Sequence, residues 1–240
     1  TQSESNAAII KNDIESGSTA PESNLTQPAI DAIPLAAAEG DGYTWDETSK
    51  TLTITASTGD YAIGKYGPWH KYSAFYGFRS VEEVSIQSCG NIGKGAFRDC
   101  KSLNGIEIQS CGDIGKDAFI DCASLETAKI GKCGDIGQGI FAQSTNMITG
   151  GPVKSIEIGS CGKINGSAFS NLNSLESVKI GECVSIGGSA FASTTALKTV
   201  ELGSCQSIDK YAFMRSGAPI ETLTLNGCVL GELSFPNSKI

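Results

Sequence analysis

Residues 125–141 read LETAKIGKCGDIGQGIF, and this stretch decides the fold. Leu125, Ala128 and Ile130 are apolar, with Glu126, Thr127 and Lys129 between them, so one side of a strand is apolar and the other polar. Cys133 follows, then Ile136 and Phe141. The same unit recurs seven times, with its cysteine at Cys89, Cys111, Cys133, Cys161, Cys183, Cys205 and Cys228. Its phenylalanine is Phe97, Phe119, Phe141, Phe169, Phe191, Phe213 and Phe235, at steps of 22, 22, 28, 22, 22 and 22 residues. A fixed period in the twenties marks a solenoid, in which each coil packs only on its neighbours.

Every unit opens with a six-residue strand: VEEVSI, LNGIEI, LETAKI, VKSIEI, LESVKI, LKTVEL and IETLTL. Positions 1, 4 and 6 are apolar and face the core, while positions 3 and 5 face the other way. Stacked coil on coil, these strands run parallel about 4.8 Å apart. The second half, IGKGAFRDC and its relatives, allows a tight glycine turn before Ala-Phe packs inward. Too few residues remain for a full helix, so a short second strand or one 3₁₀ turn is expected there.

Outside the repeats the composition changes. Residues 1–40 are rich in Ser, Thr, Asn, Glu, Pro and Ala and hold no aromatic residue, which reads as a polar tether. Within it, Ser5 or Asn6 could cap a short helix over 7–14. Residues 41–80 read as an aromatic, β-rich N-terminal cap. Tyr43–Trp45 and Thr51–Ala56 have strand character around the turn-like DETSK, a hairpin signature. Both tryptophans and five of the six tyrosines lie in residues 43–76. That cluster serves either as a plug over the end of the core or as a sugar-stacking or protein-binding platform. His70 is the only histidine and has no evident partner nucleophile. Between Phe141 and Val153 the segment AQSTNMITGGP is six residues longer than its counterparts. It is either a neutral length variation or a loop beside a working face. Pro236 and the polar NSK after Phe235 read as a closing cap, with no sortase-type signal after them.

Composition removes several function classes. A net charge of −8 disfavours nucleic acid, which requires a clustered basic face. No apolar run approaches the roughly 18–20 residues of a membrane span. No signal peptide with a basic start and apolar centre is present, so the chain reads as mature or cytosolic. The nine cysteines are odd in number, seven follow the repeat, and the shortest separation is 11 residues. Disulfide frameworks favour even counts, and zinc sites favour close C-x-x-C pairs. The periodic cysteines therefore read as small, soft core residues stacked one per coil. No nucleophile elbow, phosphate loop or metal spacing is present, so no catalytic, cofactor-binding or metal-binding residue is assigned.

The pattern L-x-x-I-x-I-x-x-C-x-x-I-G-x-x-A-F-x-x-C-x-x-L, over Leu103–Leu125, resembles the BspA-type leucine-rich repeats of bacterial surface proteins. TWDETSKTLTITA and GPWHKY are similar to the segment that often introduces such arrays in secreted proteins of gut bacteria. Two departures stand out. Cys89, Cys111 and their counterparts replace the usual proline, and the second cysteine persists only as Cys100 and Cys122. The resemblance implies a right-handed leucine-rich-repeat solenoid of about seven coils over 81–240, mainly β with short 3₁₀ or α turns. It also implies a secreted or cell-surface protein that attaches to host extracellular or bacterial surface proteins. A lipid anchor through a removed N-terminal segment fits the tether, and a monomer is expected.

The strand columns locate a contact face. Position 5 reads Ser85, Glu107, Lys129, Glu157, Lys179, Glu201, Thr224. Position 2 reads Glu82, Asn104, Glu126, Lys154, Glu176, Lys198, Glu221. Both alternate in sign over most of the stack, so each charge is expected beside an opposite one, fixing register more than adding stability. Position 3 carries Glu83 and then small residues, mostly hydroxyl-bearing, without the aromatic anchors of tight interfaces. Binding on this face is expected to be weak and to gain from many copies. Its candidate contacts are Glu83, Ser85, Glu107, Lys129, Glu157, Lys179 and Glu201. A carbohydrate-binding module using Trp45, Tyr66, Trp69 and Tyr72 is the alternative. Loss of binding on Trp69→Ala would favour it, and a spacer would be indifferent to either change.

Overall fold

The structure, a computed structural model, describes residues 43–46, 48–55, 80–143, 152–216, 219–232 and 234–236. The 1–40 tether, Tyr66, Trp69, His70 and Tyr72, and residues 144–151 of the long loop lie outside the described residues. Trp45 lies on the first strand, but its side chain lies outside them too.

Alternation of apolar and polar residues produces one nine-stranded sheet whose spatial order is the chain order. β1 (Tyr43–Asp46) and β2 (Thr51–Ile54) form the expected antiparallel hairpin, Trp45 facing Leu52 in register. The Asp46 side chain holds its turn by accepting the Thr48 and Ser49 backbone N–H groups at 2.8 and 3.2 Å. These hydrogen bonds keep the Asp46 carboxyl below its ordinary pKa.

From β2 onward every pairing is parallel. β3 (Glu83–Ile86), β4 (Gly105–Ser110), β5 (Thr127–Lys132), β6 (Ser155–Ile164), β7 (Ser177–Ile186), β8 (Thr199–Ile208) and β9 (Thr222–Leu225) follow one another. β2 itself pairs parallel with β3, Leu52 against Val84 and Ile54 against Ile86. The sheet therefore continues across residue 80 into the cap segment, and β2 acts as an extra rung. Antiparallel β1 then ends the parallel stack on that side.

The core is a set of columns. Positions 1, 4 and 6 are buried in every coil up to β8, as in Leu125, Ala128 and Ile130. Opposite them the seven phenylalanines form one stack with ring centroids 4.5–5.9 Å apart. Offset stacking at this spacing adds to the burial of each ring. The stack tilts only around Phe141, by 43° against Phe119 and 33° against Phe169. The preceding residue there is Ile140, where the other buried coils have Ala, and the longer segment follows the same phenylalanine.

In the early coils the second half carries single β-bridges, Ile92 to Ile114 and Ile114 to Ile136. In β6–β8 the strand itself continues through Ile164, Ile186 and Ile208, and tight turns follow. Among the described residues no 3₁₀ or α-helical run forms. Asp117 and Asp121 sit at φ of 57° and 64°, a left-handed conformation that interrupts any helical run. The N–H groups reach the next coil instead: Phe97 to the Ala118 carbonyl at 2.8 Å, Phe191 to the Ala212 carbonyl at 2.7 Å.

Candidate functional site

The parallel register brings Ser85, Glu107, Lys129, Glu157, Lys179, Glu201 and Thr224 into one rank across the sheet. Glu107, Lys129, Glu157 and Lys179 are exposed, and Ser85 and Glu201 are half-buried. Beside them runs a second rank of Glu83, Gly105, Thr127, Ser155, Ser177, Thr199 and Thr222. All seven predicted strand-face residues therefore lie on one surface, and its two ranks carry no aromatic side chain.

The two charged columns behave differently. At position 2, Lys154 reaches Glu126 at 2.8 Å and Lys198 reaches Glu176 at 3.7 Å. At position 5, Lys129 stands between Glu107 and Glu157 in register, and Lys179 between Glu157 and Glu201. Yet among the described residues no carboxylate comes within 4.0 Å of either ammonium group. Adjacency without closure leaves these side chains extended toward solvent. Charge alternation alone could not separate the two columns, because whether long side chains close a pair depends on their rotamers.

Glu83 is the odd member. Its carboxylate lies over Gly105, where a β-carbon would come within 2.4 Å of Oε2. Partial burial raises its pKa first, and the charge of Glu82 adds to this.

Behind this face two further columns fix the coils. Asn91 Oδ1 accepts the Asp113 N–H at 2.7 Å, Asp113 Oδ1 that of Asp135 at 2.8 Å, and Asp135 Oδ1 that of Lys163 at 2.7 Å. The glycines beside these donors, Gly112, Gly134 and Gly162, have no room for a β-carbon: each would meet the accepting oxygen at 2.2 Å. Where the acceptor is lost, at Lys163, the next coil carries Val184 in place of glycine. The sequence signal was the recurring Cys-Gly-Asx triplet, which reads from sequence as a turn and not as a link between coils.

The cysteine column is continuous as well. Cys161, Cys183 and Cys205 are register partners on β6, β7 and β8, and all nine cysteines are free thiols. The neighbouring thiols of Cys111 and Cys161 push the Cys133 thiol below its ordinary pKa.

A family model for the BspA type leucine-rich repeat region, in six copies, matches residues 70–150 and 149–240. The chain belongs to the BspA-type leucine-rich repeat family. Searches of curated proteins and of solved structures give no match. A BspA-type repeat array of this kind is a scaffold for protein interaction, generally non-catalytic, and such proteins are commonly surface-associated. No helix among the described residues is long and apolar enough to cross a membrane.

Proposed function

We propose that this BspA-type repeat protein is a secreted or cell-surface adhesion protein that binds host or bacterial proteins through its strand face. The supporting observation is the rank Glu107, Lys129, Glu157, Lys179 and Glu201, aligned by the ladder but not closed into ion pairs. Charges already neutralised by a neighbour offer a partner little. Charges held about 4.8 Å apart and left open offer it a regular pattern of donors and acceptors. The flanking Thr127, Ser155, Ser177 and Thr199 add hydroxyl groups that donate and accept in turn. A surface with this chemistry and no aromatic anchor binds weakly per molecule, and display of many copies raises the effective affinity.

The test is binding of the full chain, displayed multivalently, to immobilised matrix proteins, mucin and a glycan panel. Protein-selective binding is the expected result. Selective binding to glycans would move the site to the aromatic segment, and no binding to any surface would favour a spacer.

A further inference from the structure

The cysteine column holds a pair of thiols placed to react with each other. Cys183 on β7 and Cys205 on β8 are register partners, and Cys183 Sγ donates a hydrogen bond to Cys205 Sγ at 2.8 Å. Parallel neighbouring strands set their Cα atoms about 4.8 Å apart, inside the roughly 4.4–6.8 Å window of disulfides. The two sulfurs lie 2.8 Å apart, against about 2.05 Å in a disulfide, so a small approach of the two side chains closes the bond. Both sulfurs are nearly hidden, with Cys183 7% and Cys205 1% exposed. Cys228 follows them three residues beyond Leu225, as Cys205 follows Leu202, its register counterpart, and is only half-buried. Its sulfur donates to the Gly203 carbonyl at 3.4 Å. A column of sulfurs one coil apart approximates the line of three sulfurs through which thiol–disulfide exchange passes.

We propose that Cys183 and Cys205 are a modification site, closed to an inter-coil disulfide by exchange with a low-molecular-weight disulfide that enters at Cys228. The Cys228 thiolate attacks the small disulfide, forming a mixed disulfide and releasing one small thiol. Cys205 then attacks the Cys228 sulfur, releasing the second small thiol and forming Cys205–Cys228. Cys183 attacks Cys205 in turn, which returns Cys228 as a thiol. Two protein thiols are oxidised, one small disulfide is reduced to two thiols, and the two protons leave with those thiols. The hydrogen bond from Cys183 lowers the Cys205 thiol pKa and favours its attacking thiolate. Burial raises that of Cys228 and the hydrogen bond to Cys205 raises that of Cys183, so the first and last attacks are the slow ones. The bond closes a 22-residue loop next to the coil of β9, where Leu223 and Leu225 are only half-buried. It would fasten β7 to β8 beside this less buried coil.

The experiment treats the folded full chain with oxidised glutathione, followed by intact mass and non-reducing peptide mapping. Loss of two hydrogens, with the peptide of Cys183 joined to that of Cys205, is expected. Cys228→Ser should reach the same product at least tenfold more slowly, and Cys205→Ser should stop at glutathione held on Cys228. Retention of all nine thiols by the folded wild-type chain would overturn the proposal. So would a glutathione adduct on Cys228 that never resolves, or a disulfide that maps to another pair. Because mapping is done on the wild type, the result stands even where a variant fails to fold.

Discussion

The Asp113 carboxylate accepts the backbone N–H of Asp135, 2.8 Å away in the next coil, and Gly134 lies beside it with no space for a side chain. Acceptor and glycine form one interlocking unit. Gly134→Ala forces the oxygen off its hydrogen bond and should cost about 1–3 kcal/mol, the range for overpacking. Asp113→Ser should cost about 1 kcal/mol or more, since a charge-assisted acceptor is lost. The double variant should cost less than the two together by about 1 kcal/mol, because one oxygen is responsible for both effects. Urea unfolding of the four proteins measures the coupling.

Gly181 makes a stricter demand. A β-carbon there would meet the Gly159 carbonyl oxygen at 2.4 Å, and Gly203 stands in the same relation to Gly181. Backbone cannot step aside as a carboxylate can. Gly181→Ala should therefore destabilise by about 2 kcal/mol or more, and no second substitution at a neighbouring side chain should rescue it. Thermal unfolding of Gly181→Ala beside Gly134→Ala would separate the two cases.

The phenylalanines are the largest fully buried side chains of the core. Phe191 is fully buried between Phe169 and Phe213, with centroids at 5.0 and 4.9 Å. Phe191→Ala should cost about 3–5 kcal/mol. Removing a central ring also breaks the stack into two, so the unfolding transition should lose cooperativity, visible as a lower denaturant slope.

Glu83 gives a prediction in pH. Its folded pKa is raised above the ordinary 4.5, first by burial and then by Glu82. A raised pKa favours folding while the group is protonated, so this contribution is complete below 4.5 and is lost as pH rises through the folded value. Glu83→Gln, which cannot ionise, should thus melt higher than the parent at neutral pH. The difference should vanish below 4.5, and melting curves across that window measure it.

Much of this was legible in the sequence because strand periodicity is local. Val84, Ile86 and their counterparts announce the core face, and matching strand positions across the repeats place Lys129 beside Glu107 and, over the six-residue insertion, beside Glu157. The role of β2 was hidden: Ile54 precedes its partner Ile86 by 32 residues, where 22 separate Ile86 from Ile108. The intervening aromatic segment masks the period. The second half of the coil reads from sequence as a short second strand or a 3₁₀ turn. The early coils form single bridges there, β6–β8 extend through it as strand, and left-handed residues such as Asp117 and Asp121 follow. Local turn bonds such as Arg98 N–H to the Gly95 carbonyl alternate there with bonds between coils such as Phe97 N–H to the Ala118 carbonyl, and no local propensity encodes the latter. The difference between the closed Lys154–Glu126 pair and the open Lys129 is likewise a matter of side-chain reach.

The open rank at position 5 is the centre of the functional reading, and charge reversal tests it most directly. Lys129→Glu with Lys179→Glu would be compared with the wild-type full chain, both displayed multivalently, on whichever matrix or bacterial surface protein the wild type binds. These side chains close no ion pair among the described residues, so melting should change by little while binding falls at least tenfold. Unchanged binding by a variant that melts like the parent would contradict the strand face as the contact surface.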